Sequence, residues 1–348
     1  MTRATVSLLV LAGLLLLLLW LVPEVPLLVF AAILLGVFLY AGADRLRRLV
    51  PRLPHGAAVG LFLLLLALAF TAAALLAAGP IAGQLNTLWQ EVPRAAAGLA
   101  EQLSRYRWGQ EMLRRFQPGE MGLPAGGGTT AVTALNTTLS GLANLVLVGF
   151  LGLYFALDPA LYRRGIEAMV APSLRPRAHA LCREAAATLR GWLGAQMVSM
   201  AVVGVLTGLG LWLIGVPLAP VLGLIAALLT FIPTVGPVLS AVPAVLLGLA
   251  QGLGGALSVA AVYLVVQSVE SYLITPYVQR RSVDLPEAAT IVALLGFGLL
   301  YGLLGLLLAT PIAAVLLMLV RRLYVDHYLA QESFCQAAAV PRHSATPN

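Results

Sequence analysis

The stretch VVQSVESYLITP, residues 265–276, sets a single carboxylate among valines and leucines. Glu270 shares a helical spacing with Tyr263, Gln267, Ser271 and Thr275, which predicts a helix polar on one face and apolar on the other. An ionised carboxylate turned to lipid at the bilayer centre costs about 3 kcal/mol or more, so the stripe has to face protein or water. A carboxyl so placed can bind a polar or cationic solute or exchange a proton, with Gln267 and Ser271 adding hydrogen bonds. It can equally be an interior anchor, paired with an arginine such as Arg280. A weaker stripe, Gln196, Ser199, Val203 and Thr207, runs beside Gly204 and Gly208. There Gln196 either lines a pathway or serves helix association.

Two other places could do chemistry with backbone. Residues 218–250 and 288–320 are apolar runs of about 33 residues, roughly 50 Å as helix. The hydrocarbon they would cross is only about 30 Å thick. Each is broken near its middle, the first at FIPTVGP (Pro233, Thr234, Gly236, Pro237) and the second at YGLLG (Gly302, Gly305). A break inside a membrane leaves amides and carbonyls without helical partners, tolerated only where protein or a water-filled cavity satisfies them. The two tips could therefore offer backbone groups to a substrate, or be kinks where helices pack tightly.

The elements positioning these residues follow from composition. Of 348 residues, 60% are hydrophobic and 10% charged, against roughly 25% charged in soluble domains. The expected fold is all-α, a polytopic membrane protein with about eight membrane segments. The net charge of +7 would suggest nucleic acid in a soluble protein; here it sits in loops and sets orientation. No nucleic-acid partner is expected. Spans at about 6–22 and 27–43, joined by a tight turn at Pro23-Glu24-Val25-Pro26, precede a loop rich in arginine, and a third span closes residues 1–79. Residues 80–138 read as an extracytoplasmic insertion, helical first and then a Gly/Pro link. Residues 139–190 hold a fourth span, ended or capped by Asp158, and a basic segment in which Leu174, Ala178, Leu181, Ala185 and Leu189 predict an amphipathic surface helix.

Parity decides the rest. Only if 218–250 and 288–320 each enter and return do all basic clusters fall on the cytoplasmic side. This predicts a span plus an outer hairpin over 191–250, a span plus an inner hairpin over 251–322, and a cytoplasmic tail, 323–348. Pro217 and Pro286, Ala219 and Ala288, Pro233 and Gly302, and Gly236 and Gly305 are each 69 residues apart, and Pro243 nearly matches Pro311. Broken segments at matching places in two inverted halves point to a secondary transporter.

Enzyme readings find no support. HExxH and G-x-S-x-G are absent, no histidine falls in a span, and a chain without lysine has no phosphate-binding P-loop. No metal or cofactor is expected, and two cysteines make no disulfide framework.

Several blocks resemble the autoinducer-2 exporter family of bacterial permeases: FALDPALYRRGIEAMVAP, GWLGAQ, FIPTVGPVLSAVPA, QSVESYLITPYVQRRSVDLPEAA and LLGLLLATPIAAVL. The resemblance covers nearly the whole chain. It implies about eight membrane segments, a homo-oligomer expected to be a pentamer, and export of the furanone signal autoinducer-2 or sodium (lithium)/proton antiport. By motif position it carries over Gln196, Pro233, Gly236, Pro237, Pro243, Gln267, Glu270, Pro276, Pro286, Gly302, Gly305 and Pro311. Thr234 and Ser271 depart from it, where an aromatic residue and an asparagine are frequent, and both fall at suspected lining positions.

The expected function is export of a small polar organic molecule across the bacterial inner membrane, with both termini cytoplasmic. The rivals are cation/proton antiport and a membrane scaffold binding a partner through residues 80–138. Single cysteines at 217 and 252 should label from outside and those at 282 and 322 only from inside. Any other pattern contradicts the two hairpins.

Overall fold

The computed structural model describes residues 13, 24–104, 129–274 and 286–323. Most of the first span, the link at 105–128, the stretch holding Pro276 and Arg280, and the tail from 324 lie outside the described residues. Among the described residues there is no strand. Six helices are long and apolar enough to cross a membrane, and two shorter apolar helices accompany them.

Helix α1 (Glu24–Leu49) begins where the sequence suggested a turn. Pro26 sits in its first turn, where a missing N–H costs nothing because that donor has no helical partner anyway. Glu24 at the start, with Arg47 and Arg48 at the end, suits the helix dipole. Helix α2 (His55–Ser104) is one helix of 50 residues. The change of composition near residue 80 therefore falls inside a helix, not between elements. Helix α3 (Thr129–Leu157) packs on both. A Cβ on Gly36 would press on Phe155 and the Gly152 carbonyl, and one on Gly42 would meet the Phe62 ring. His55 Nε2 donates to the Ala156 carbonyl at 2.9 Å. Small residues let these backbones approach, the usual way apolar helices associate in lipid.

The chain continues through α4 (Pro159–Met169), a short 3-10 turn (Pro172–Leu174) and α5 (Arg175–Leu213). Asp158 stands at the break after α3 and caps α4: its Oδ1 accepts the Leu161 N–H at 3.1 Å, and Pro159 follows at the first helical position. Along the stripe Leu174, Ala178, Leu181 and Ala185 are half-buried and Leu189 is buried.

Helices α6 (Ala219–Leu229) and α7 (Val235–Ala250) form the first hairpin. Its tip is a tight three-residue γ-turn: Thr234 has φ 68° and ψ −47°, and the Val235 N–H donates to the Pro233 carbonyl at 2.7 Å. A Cβ on Gly236 would overlap the Leu229 carbonyl oxygen, so only glycine lets the arms close. Helix α8 (Leu253–Val269) follows after Gly252, at φ 103°. Leu211, Leu222, Ala244, Leu247 and Val259 then join α5, both hairpin arms and α8 in one core.

Helix α9 (Glu287–Val320) is nominally one helix, with Pro286 before it and Pro311 inside. It reverses at Gly302, whose φ 59° and ψ −138° are open essentially to glycine alone. A Cβ on Gly305 would overlap the Phe297 carbonyl oxygen, eight residues back. Eight residues of straight helix would separate those groups by about 12 Å, so the two arms lie side by side as a second hairpin. The described residues group into two compact units. Residues 28–157 and 193–280, with the first hairpin, make one; the second includes 158–192 and the second hairpin.

The two reversals predict different failures. Gly302→Ala meets no neighbour and should cost about 1–3 kcal/mol through backbone strain alone. Gly236→Ala and Gly305→Ala should cost at least as much, because carbonyls must move aside. Thr234→Gly should raise the melting temperature by relieving a strained turn. Thermal unfolding in detergent checks all four, and an unchanged melting temperature for Gly236→Ala contradicts the close contact.

Candidate functional site

The carboxylate of Glu270 stands where α8 changes its winding. Residues Glu270–Ile274 form a π-helical turn, a widening that frees a carbonyl from the regular ladder and often marks functional positions. Nothing in the composition of ESYLI signals this turn. Glu270 is half-buried, and its carboxylate accepts hydrogen bonds from Ser199 and Gln267, among other interactions. Ser199 Oγ donates to Oε1 at 2.5 Å, and Gln267 Nε2 donates to Oε2 at 3.0 Å. The first crosses from α5; the second comes from the preceding turn of α8.

One turn away on α5, Gln196 is buried at 9% exposure and donates from Nε2 to the Thr230 carbonyl at 2.6 Å. Thr230 ends α6 at the first hairpin's tip, and its own hydroxyl turns back to the Ala226 carbonyl at 2.6 Å. Helix α5 thus touches the hairpin tip with Gln196 and the carboxylate with Ser199. Further along α8, Tyr263 donates to the Ser240 carbonyl at 2.9 Å, tying α8 to the second hairpin arm. Ser240 Oγ donates to the Pro237 carbonyl at 3.0 Å, one turn from the tip.

Of the residues singled out in the sequence, Gln267 and Glu270 bond to each other and Glu270 to Ser199 on α5, while Gln196 bonds the Thr230 carbonyl beside the turn that carries Pro233, Thr234, Gly236 and Pro237. Thr234 is exposed at the tip, Pro233 and Pro237 are half-buried, and Gly236 is buried at the arm-to-arm contact. Ser271 is exposed. Pro243 lies inside α7, where a proline leaves one carbonyl without its helical donor. Gly302, Gly305, Pro286 and Pro311 belong to the second hairpin, Asp158 is a cap outside both, and Pro276 lies outside the described residues.

Sequence reasoning placed Ser199 on a stripe with Gln196 but did not pair it with Glu270. Helical spacing alone gives a face, not the facing helix. The stripe's last member, Thr207, is fully buried and its hydroxyl has no hydrogen-bond partner among the described residues. A surface groove of about 580 Å³ runs beside Gly204, Gly208, Trp212 and Gly223, and none of the carboxylate's partners lines it. Chemically, the junction can hold a proton or a cation on Glu270. It can also offer a polar solute a carboxylate, two amides and a hydroxyl. No group of three or more metal-ligating side chains occurs among the described residues.

Comparison with known proteins points to transport. The profile of the AI-2E family transporters matches residues 8–324. YrrI of Bacillus subtilis (strain 168), named for transport, is 28% identical over 186 residues, 53% of this chain and 53% of its own. A Mycobacterium tuberculosis protein, MT0215, also named for transport, is 29% identical over 207 residues, 59% of this chain and 55% of its own. The AI-2 transport protein TqsA of Escherichia coli (strain K12) is 32% identical over 124 residues, 34% of this chain and 36% of its own. The chain spans about half the length of the first two relatives and less of the third. With a family match over nearly its whole length, this chain belongs to the AI-2E transporter family.

Proposed function

We propose that the protein is a secondary transporter that exports a small polar organic molecule across the bacterial inner membrane, driven by an ion gradient. The observation that carries the proposal is Glu270, a half-buried carboxylate on an apolar helix, bonded to Ser199 and Gln267. It lies one helical turn along α5 from the bond between Gln196 and the hairpin tip.

Protonation gives that arrangement a consequence. A carboxylate accepts only, whereas a carboxylic acid has one donating oxygen. The amide nitrogen of Gln267 cannot accept, so a proton on Oε2 weakens that bond, a carboxylic hydroxyl oxygen being a poorer acceptor than a carboxylate, or turns the amide over. The Ser199 hydroxyl can rotate and keep its bond. Proton binding is thereby linked to the local geometry of α8 beside the π turn. Autoinducer-2 is the candidate solute by analogy with the relative named for AI-2 transport, and a homo-oligomer is its expected working form.

A second reading, sodium (lithium)/proton antiport, is favoured by a carbonyl and a carboxylate approached by the same face of α5. In proteoliposomes, Glu270→Gln should lower gradient-driven uptake at least about tenfold, a loss of about 1.4 kcal/mol in transition-state stabilisation. Uptake equal to that of the unchanged protein sinks the proton role. Ser199→Ala removes one bond to a charged group, about 1.5–3 kcal/mol, and should weaken coupling without abolishing folding. Dequenching of an internal pH dye on adding sodium or lithium would favour antiport; dequenching that needs the organic solute favours export.

A further inference from the structure

Helix α4 is turned the wrong way for a helix in water. Two of its three ionic residues are turned toward protein: Glu167 Oε1 lies 2.7 Å from His179 Nδ1 on α5 and 3.6 Å from Arg163 Nε. The Glu167 side chain is 21% exposed. Its apolar residues point outward: Leu161 is 59% exposed, Ile166 50% and Met169 53%. No residue of the helix is fully buried. At 100° per residue Leu161, Tyr162, Ile166 and Met169 share one side of α4, while Arg163, Arg164 and Glu167 share the other. An amphipathic helix docked on protein in water buries its apolar side, because that burial drives docking. The opposite arrangement is stable where a non-aqueous medium covers the apolar side.

We propose that α4 lies in the membrane–water interface, with Leu161, Ile166 and Met169 in the boundary between headgroups and acyl chains. The occupant follows from where the helix begins. The span Ser140–Leu157 ends one residue before Pro159, with only the capping Asp158 between them. The N-terminus of α4 is therefore held at the bilayer surface. Arg164 is exposed on the rim of the polar side, within reach of lipid phosphates. Short helices with an apolar face and basic flank bind membrane surfaces in this way. The pairing of Glu167 with His179 fixes the rotation of α4, so that the apolar side is presented as a unit.

The test uses the full chain in nanodiscs of phosphatidylethanolamine and phosphatidylglycerol, with Cys182→Ser and Cys335→Ser as background. Spin labels are placed singly by Leu161→Cys, Ile166→Cys, Met169→Cys and Arg164→Cys. At 161, 166 and 169, collisions with oxygen relative to a water-soluble nickel chelate should be several-fold more frequent than at 164. Equal nickel access at all four places the apolar side in water and overturns the proposal. Exclusion of both reagents at 166 and 169 means that protein, such as a second copy of this chain, covers the face, and overturns it too. If the background variant does not fold, Ile166→Trp in the otherwise unchanged chain should add emission quenched by lipids brominated near the headgroup. Added emission insensitive to those lipids contradicts the proposal.

Discussion

Hydrocarbon offers no hydrogen bonds, and every other feature of this chain answers that constraint. A helix satisfies its own backbone; a reversal inside the bilayer does not. Each of the two interrupted segments reverses by closing its arms over a glycine. At the first reversal Gly236 lies against the Leu229 carbonyl, and at the second Gly305 lies against the Phe297 carbonyl. The same constraint acts on side chains. The Glu270 carboxylate is held by Ser199 and Gln267, and the tip carbonyl of Thr230 is taken by Gln196. The polar junction and the hairpin tip share α5 as their common support.

Much of this was legible in the sequence, and for physical reasons. Breaks at FIPTVGP and YGLLG show because proline and glycine are the residues that interrupt helices. The 69-residue match of Gly236 with Gly305 proved to mark the same kind of arm-to-arm contact twice. Polar stripes on α5 and α8 show because helical periodicity reveals one face of an element. Which faces meet is a tertiary matter, so Ser199 as a partner of Glu270 was not readable. The γ-turn at Thr234 was equally hidden, because its φ is one that a threonine rarely adopts. The sequence misled at residues 23–26, where proline can start a helix as well as make a turn.

Membership of the AI-2E transporter family gives these details a common purpose. The three N-terminal helices built on Gly36 and Gly42 contact both arms of the first hairpin through α2. They supply a wall against which a strained turn can be kept. Strain at Thr234 and the π turn at Glu270 are departures from regular helix, each beside a backbone group that the regular ladder would have used. Such departures persist when the surrounding structure over-determines them.

The central claim is that the first hairpin's tip and the Glu270 carboxylate form one binding site. A structure of the protein with its transported solute or ion bound tests it most directly. The account predicts bound density within hydrogen-bonding or coordination distance of the Glu270 carboxylate and of the Thr230 carbonyl or the Gln196 amide. Density confined to the apolar groove beside Gly208 and Trp212, with neither polar group in contact, would contradict it.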